Sequence, residues 1–87
     1  MLRSLQGVRM YDSYSIKLIY KRFKQHEPSQ EFKEAHTHAA LIDLFIRFKI
    51  HATQNSASIL SLETERDRTI ALLALSGNPR YSVVVLD

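Results

Sequence analysis

Eighty-seven residues at 45% hydrophobic are enough for one domain with a modest core, and a core of that size is often supplemented by self-association. No cysteine is present, which excludes a disulfide framework, a thiolate nucleophile and cysteine-bound zinc; the apolar runs 39–42 and 70–75 are far shorter than the roughly 20 residues of a membrane span. The net charge of +3 is unevenly held, because up to His26 six Lys and Arg face Asp12 alone, whereas the remainder carries six basic against eight acidic residues.

The first twelve residues, MLRSLQGVRMYD, lack the continuous apolar stretch of a secretory signal. The chain is therefore expected in the cytoplasm, as a single domain over residues 1–87. Residues 1–12 are expected as a flexible lead or as an edge strand that folds back about Asp12 and Ser13.

The next segment, SIKLIYKRFK, fits two periods. As a helix it sets Ile16, Ile19, Tyr20 and Phe23 on one stripe and Lys17, Lys21 and Lys24 on another. As a strand it places Tyr14, Ile16, Leu18 and Tyr20 on one face and ends in charge. Downstream, Pro28 restricts Glu27 to extended geometry, Ser29 is a good N-cap and Glu31 favours the first turn, so a helix begins there. It is expected to run to about His51 or Ala52, before the turn-forming residues of TQNS.

On that helix Phe32, Ala35, Ala39, Ile42 and Ile46 form one apolar stripe, and Leu41, Leu44, Phe45 and Phe48 form a second beside it. A helix apolar over so much of its circumference needs more than one neighbour. His36, Asp43, Arg47 and His51 form a polar row, with Asp43 and Arg47 at ion-pair spacing. That row is expected to face solvent, and His36, His51 and Asp43 are the residues to inspect for acid and base chemistry.

A second helix is expected from about Glu63 to Ser76, capped by Ser61 or Thr64 and ended by Gly77 in the left-handed conformation with Asn78 and Pro79 behind it. The final RYSVVVLD is β-branched and bounded by Gly77 to Pro79, which makes it a strand. Its backbone needs a partner, and 13–23 is the other segment with strand character, so the strand reading of SIKLIYKRFK is preferred.

The expected fold is α+β: a small antiparallel sheet, made of an N-terminal strand or hairpin and the C-terminal strand, packed on two helices in ββααβ or βααβ order. The alternative is a mostly helical chain whose C-terminal strand pairs across a dimer. Two strands alone make a marginal sheet, and a third is sought in SLQGVRMY or in a second chain.

Chemistry-bearing motifs are scarce. With Gly7 and Gly77 as the two glycines there is no phosphate-cradling loop, dinucleotide fingerprint or nucleophile elbow. In EAHTH, His36 and His38 stand roughly 200° apart on a helix. Glu34 and His38 share a face, but two ligands do not define a metal site. The expectation is a non-catalytic module without cofactor or metal that forms a homodimer or binds another protein, with Leu41, Phe45 and Phe48 as contact residues. The alternative is nucleic-acid binding, with Lys17, Lys21, Arg22 and Lys24 meeting phosphates and Tyr20 and Phe23 among them.

Overall fold

The computed structural model describes residues 14–24 and 26–86. Its elements in chain order are β1 (Ser15–Tyr20), α1 (Gln30–Phe48), β2 (Ala52–Gln54), β3 (Ile59–Leu62), α2 (Glu65–Leu75) and β4 (Tyr81–Leu86). The four strands form one antiparallel sheet in the order β2-β3-β1-β4. Each helix therefore joins two strands that lie parallel with a third strand between them, and the two split β-α-β units interleave.

The α+β class and the pairing of the N-terminal and C-terminal strands are as expected. SIKLIYKRFK is a strand over its first six residues, with Tyr20 opposite Tyr81 and Ser15 opposite Leu86. The element order differs: it is βαββαβ rather than ββααβ or βααβ. The additional strands come from the β2-β3 hairpin, between the helices, where the sequence predicts turns at TQNS and no strand. The N-terminal hairpin sought in SLQGVRMY lies outside the described residues.

Backbone hydrogen bonds fix which way each peptide group faces. The Leu18 N–H donates to the Ser58 carbonyl at 2.8 Å and the Lys21 N–H to the Arg80 carbonyl at 2.9 Å. In an antiparallel ladder these bonds alternate along a strand, so even residues of β1 bond toward β3 and odd residues toward β4. Carried across the same register, the peptide groups of Tyr81, Val83 and Val85 point out of the β4 edge, away from β1.

The side chains alternate in the other dimension. Ile16, Leu18 and Tyr20 of β1, Leu60 and Leu62 of β3, and Tyr81 of β4 are buried against Ala40 and Leu44 of α1 and Ala71 and Leu75 of α2. The opposite face carries Lys17, Ile19, Ser82 and Val84, all exposed, and a polar pair, Ser15 and Ser61, whose hydroxyls lie 3.0 Å apart. Asn55 donates its amide to the Ser61 hydroxyl as well.

Ser29 caps α1, its hydroxyl accepting from the Phe32 N–H at 3.1 Å. The helix stops at Phe48, three residues short of the expected end, because Lys49 turns into the left-handed region at φ 59° and the following Ile50 is buried. The buried seam of α1 is Thr37, Ala40 and Leu44, with Phe32 and Leu41 packed at its margin. The stripe Ala35, Ala39, Ile42 and Ile46 faces outward instead, with Ile46 64% exposed.

That seam shifts because Thr37, although polar, is fully satisfied inside. It donates to the Ala57 carbonyl at 2.6 Å, and the Tyr20 hydroxyl lies 2.7 Å from its oxygen. With the Thr37 proton committed to Ala57, Tyr20 is the donor in their bond.

Thr64 caps α2 by accepting from the Asp67 N–H. Gly77 is not in the left-handed region; among the described residues, Lys24 and Lys49 are the non-glycine residues with positive φ.

Candidate functional site

Three surfaces bring the sequence-selected residues into view. At one end of the sheet, the chain leaving β1 makes a tight turn in which Phe23 and His26 exchange two backbone hydrogen bonds, with Lys24 at φ 52°. That turn stands against the start of α1 and the 79–80 segment entering β4, and a cleft of about 690 Å³ opens between them. Its cationic lining is Lys21, Arg22, Lys24 and Arg80; Phe23 and Phe32 supply its apolar surface.

Phe23 is 72% exposed. The Lys24 ammonium stands 5.4 Å from its centroid. Phe32 is held by its neighbours, stacked on His36 at 4.0 Å and edge-on to Tyr20 at 6.1 Å. One carboxylate enters the cleft: Glu27, 3.5 Å from Arg22 and 3.6 Å from Lys33. Among the described residues no carboxylate pairs with Lys21, Lys24 or Arg80. Lys17, grouped with these cations from the sequence, sits instead on the sheet face away from the helices.

The polar row is partly assembled. His36, Asp43 and Arg47 line a shallow groove of about 430 Å³ with Asn78, Arg80 and Tyr81, where α1 meets the end of α2 and the start of β4. His36 and Asp43 are half-buried rather than on an open solvent stripe. Asp43 and Arg47 form a close ion pair at 2.9 Å. The hydrogen bonds of His36 define its tautomer: Nδ1 donates to the Phe32 carbonyl at 3.0 Å, and Nε2 accepts from the Arg80 guanidinium at 3.2 Å. His51 is not part of the row; it lies beyond the helix end, its ring tilted against Phe45 at 5.1 Å.

The tyrosines beneath the groove are perturbed. Burial pushes the Tyr20 phenol above its ordinary value, opposed by the bond to Thr37. Tyr81 is also raised, by burial first and then by the nearby Tyr20 and Asp43, against a hydrogen bond from Asn78.

The third surface is apolar. Leu41 packs on the core, whereas Phe45 and Phe48 are partly exposed next to Ile42 and Ile46. Cations lie over both rings, Lys49 at 5.5 Å from Phe45 and Arg47 at 5.0 Å from Phe48. The second apolar surface is the β4 edge, where Val84 and Val85 are exposed.

Sequence reasoning missed Arg80 and Thr37. Arg80 is separated from the basic segment by more than fifty residues and joins it through the register that sets Lys21 opposite it. Thr37 reads as one more polar helix residue until Tyr20 and Ala57 are seen to meet it. Among the described residues no three His, Asp or Glu side chains gather as a metal cage, and no helix is long and apolar enough to cross a membrane. The chain matches no family model, no curated protein and no solved structure.

Proposed function

We infer that this chain is a small non-catalytic interaction module that associates with a second copy of itself through the β4 edge. The observation that carries the reading is the character of that edge. The six-residue strand Tyr81–Leu86 presents the outward peptide groups of Tyr81, Val83 and Val85, with no charge, proline or glycine along it. Such an edge is a template for pairing, and proteins that keep theirs free usually blunt it with lysine, proline or a very short strand. The opposite edge, β2, is blunted in this way, being three residues long.

A second copy is favoured over a charged partner because self-pairing needs a surface that does not repel itself. The chain is basic, but its excess charge sits in the segment leaving β1, while β4 is neutral. Two β4 strands related by a twofold axis would continue the sheet antiparallel from one copy into the other, each strand supplying the same donors and acceptors. Cytoplasmic residence is part of this reading, consistent with a chain without cysteine.

Light scattering after size-exclusion chromatography tests the reading. The expected result is a dimer at both 50 mM and 500 mM salt, since pairing through neutral strands is weakly screened. Val85→Pro removes an outward donor and leaves the β1 ladder intact, so it should yield a folded monomer. A wild-type monomer at 100 μM overturns self-association. A dimer that survives Val85→Pro but is lost in Phe45→Ala moves the interface to the outer face of α1.

A further inference from the structure

The basic cleft beside the Phe23 turn is separate from the β4 edge and has a different chemistry. Its volume lies within the range of small-ligand sites, roughly 300–1,000 Å³. Its lining combines three elements: cations from two chain segments, an exposed aromatic ring, and two prolines, Pro28 and Pro79. Lys21 and Lys24 come from the turn after β1, and Arg80 from the approach to β4.

Arg80 is oriented for a further contact. One of its nitrogens donates to His36 Nε2, which leaves the rest of the guanidinium fork for an incoming acceptor. The end of α1 contributes little of its own, since Ser29 already accepts from the Phe32 N–H. The net charge of the named groups is positive, with Glu27 engaging Arg22 and Lys33 rather than Lys21, Lys24 or Arg80.

The Phe23 ring, 72% exposed, stands beside cations that no carboxylate engages among the described residues. Phosphate alone would need the cations without the ring, and an apolar peptide the ring without the cations. A nucleoside phosphate uses both, its base stacking on the aromatic face and its phosphate meeting the cations. The cleft accepts a splayed single strand more readily than a duplex, whose bases are already stacked on one another.

We propose that the cleft formed by Lys21, Phe23, Lys24 and Arg80 binds nucleoside-phosphate units of single-stranded nucleic acid. Phe23 stacks on a base, and the three cations take the adjoining phosphates. The site is independent of self-association, because its residues lie off the β4 edge strand.

Fluorescence anisotropy with a 5′-labelled decauridylate tests it on the full chain. Three cation contacts give a salt slope of about −2, so binding should weaken roughly tenfold to twentyfold between 50 and 200 mM salt. Phe23→Ala should weaken binding at least about fivefold with the slope unchanged. Lys21→Gln should weaken it and make the slope shallower by about 0.7. Lys17→Gln is the control: it removes the same charge from the sheet face outside the cleft and should leave binding near wild type.

Competition separates the sources of the ligand. Uridine monophosphate that competes as well as the decamer assigns the site to a free nucleotide, and much weaker competition assigns it to a strand. A decaglutamate peptide or inorganic phosphate that competes equally with the decamer overturns the proposal, since neither offers a base to Phe23. Absence of binding at 50 mM salt, or equal losses in Lys17→Gln and Lys21→Gln, overturns it as well.

Discussion

Thr37 shows how one polar side chain determines which face of a helix is buried. Its hydroxyl gives its proton to Ala57 and receives one from Tyr20, tying α1 to the loop before β3 and to the end of β1. The two partners are not equivalent under substitution. Tyr20→Phe removes a donor but leaves the Thr37 to Ala57 bond intact, so a cost of about 0.5–1.5 kcal/mol is expected. Thr37→Val keeps the shape but strands the Ala57 carbonyl, while the Tyr20 hydroxyl keeps the Lys33 carbonyl at 3.3 Å, and about 1–3 kcal/mol is expected. Urea unfolding of the two variants checks the order, and a smaller loss in Thr37→Val would remove Thr37 from its central position. The same tyrosines set an alkaline limit. Because folding raises the pKa values of Tyr20 and Tyr81, their contribution to stability is fully present below the unfolded value near 10 and is lost as pH rises through the folded values. The urea midpoint should therefore fall more steeply above pH 10 in the wild type than in a Tyr20→Phe, Tyr81→Phe double variant.

At the scale of the element, the ends of the helices carry the testable strain. Lys49 holds a left-handed conformation that costs a side-chain-bearing residue roughly 1–2 kcal/mol, and its N–H reaches the Phe45 carbonyl at 2.9 Å. Lys49→Gly should stabilise the fold by roughly 0.5–1 kcal/mol, after the added freedom of the unfolded chain is allowed for. Gly77 is the reverse case: its φ is not positive and a Cβ there would meet open space, so Gly77→Ala should stabilise by about 0.4–1 kcal/mol. Thermal unfolding of both variants checks the pair. These ends also mark what the sequence disclosed. Ser29 announced the start of α1, since capping is local chemistry, and the β-branched run of 81–86 announced β4; Thr64 was one of two candidate caps for α2, whose start at Glu65 lies two residues beyond the expected Glu63. The hairpin escaped because β2 is three residues long and β3 four, running directly into the charged ETERDR, so neither is long enough to show a period. Gly77 misled because glycine permits the left-handed turn without requiring it, whereas Lys49 adopts it to bring Ile50 into the core.

Across the whole molecule, the two proposed activities occupy different boundaries of one sheet. The proposed self-pairing would use the side of β4, and the proposed nucleic-acid binding the end of β1 where the chain turns toward α1. The basic segment was visible in the sequence as charge, but its site was not: the register of β1 on β4 admits Arg80 and leaves Lys17 on another face. The apolar excess was equally visible, yet where it emerges depends on Thr37 turning α1 so that Ile42 and Ile46 face outward. Since β1 and β4 run antiparallel over six paired residues, Ser15 and Leu86 meet at one end of the ladder and Tyr20 and Tyr81 at the other. At about 3.3 Å per residue, the two ends of that ladder stand roughly 17 Å apart. Anything tethered ahead of Ser15 or behind Leu86 thus starts from the sheet end remote from the cleft. A reporter or an immobilising tag joined behind Leu86 would leave the Phe23 turn pointing away from the support.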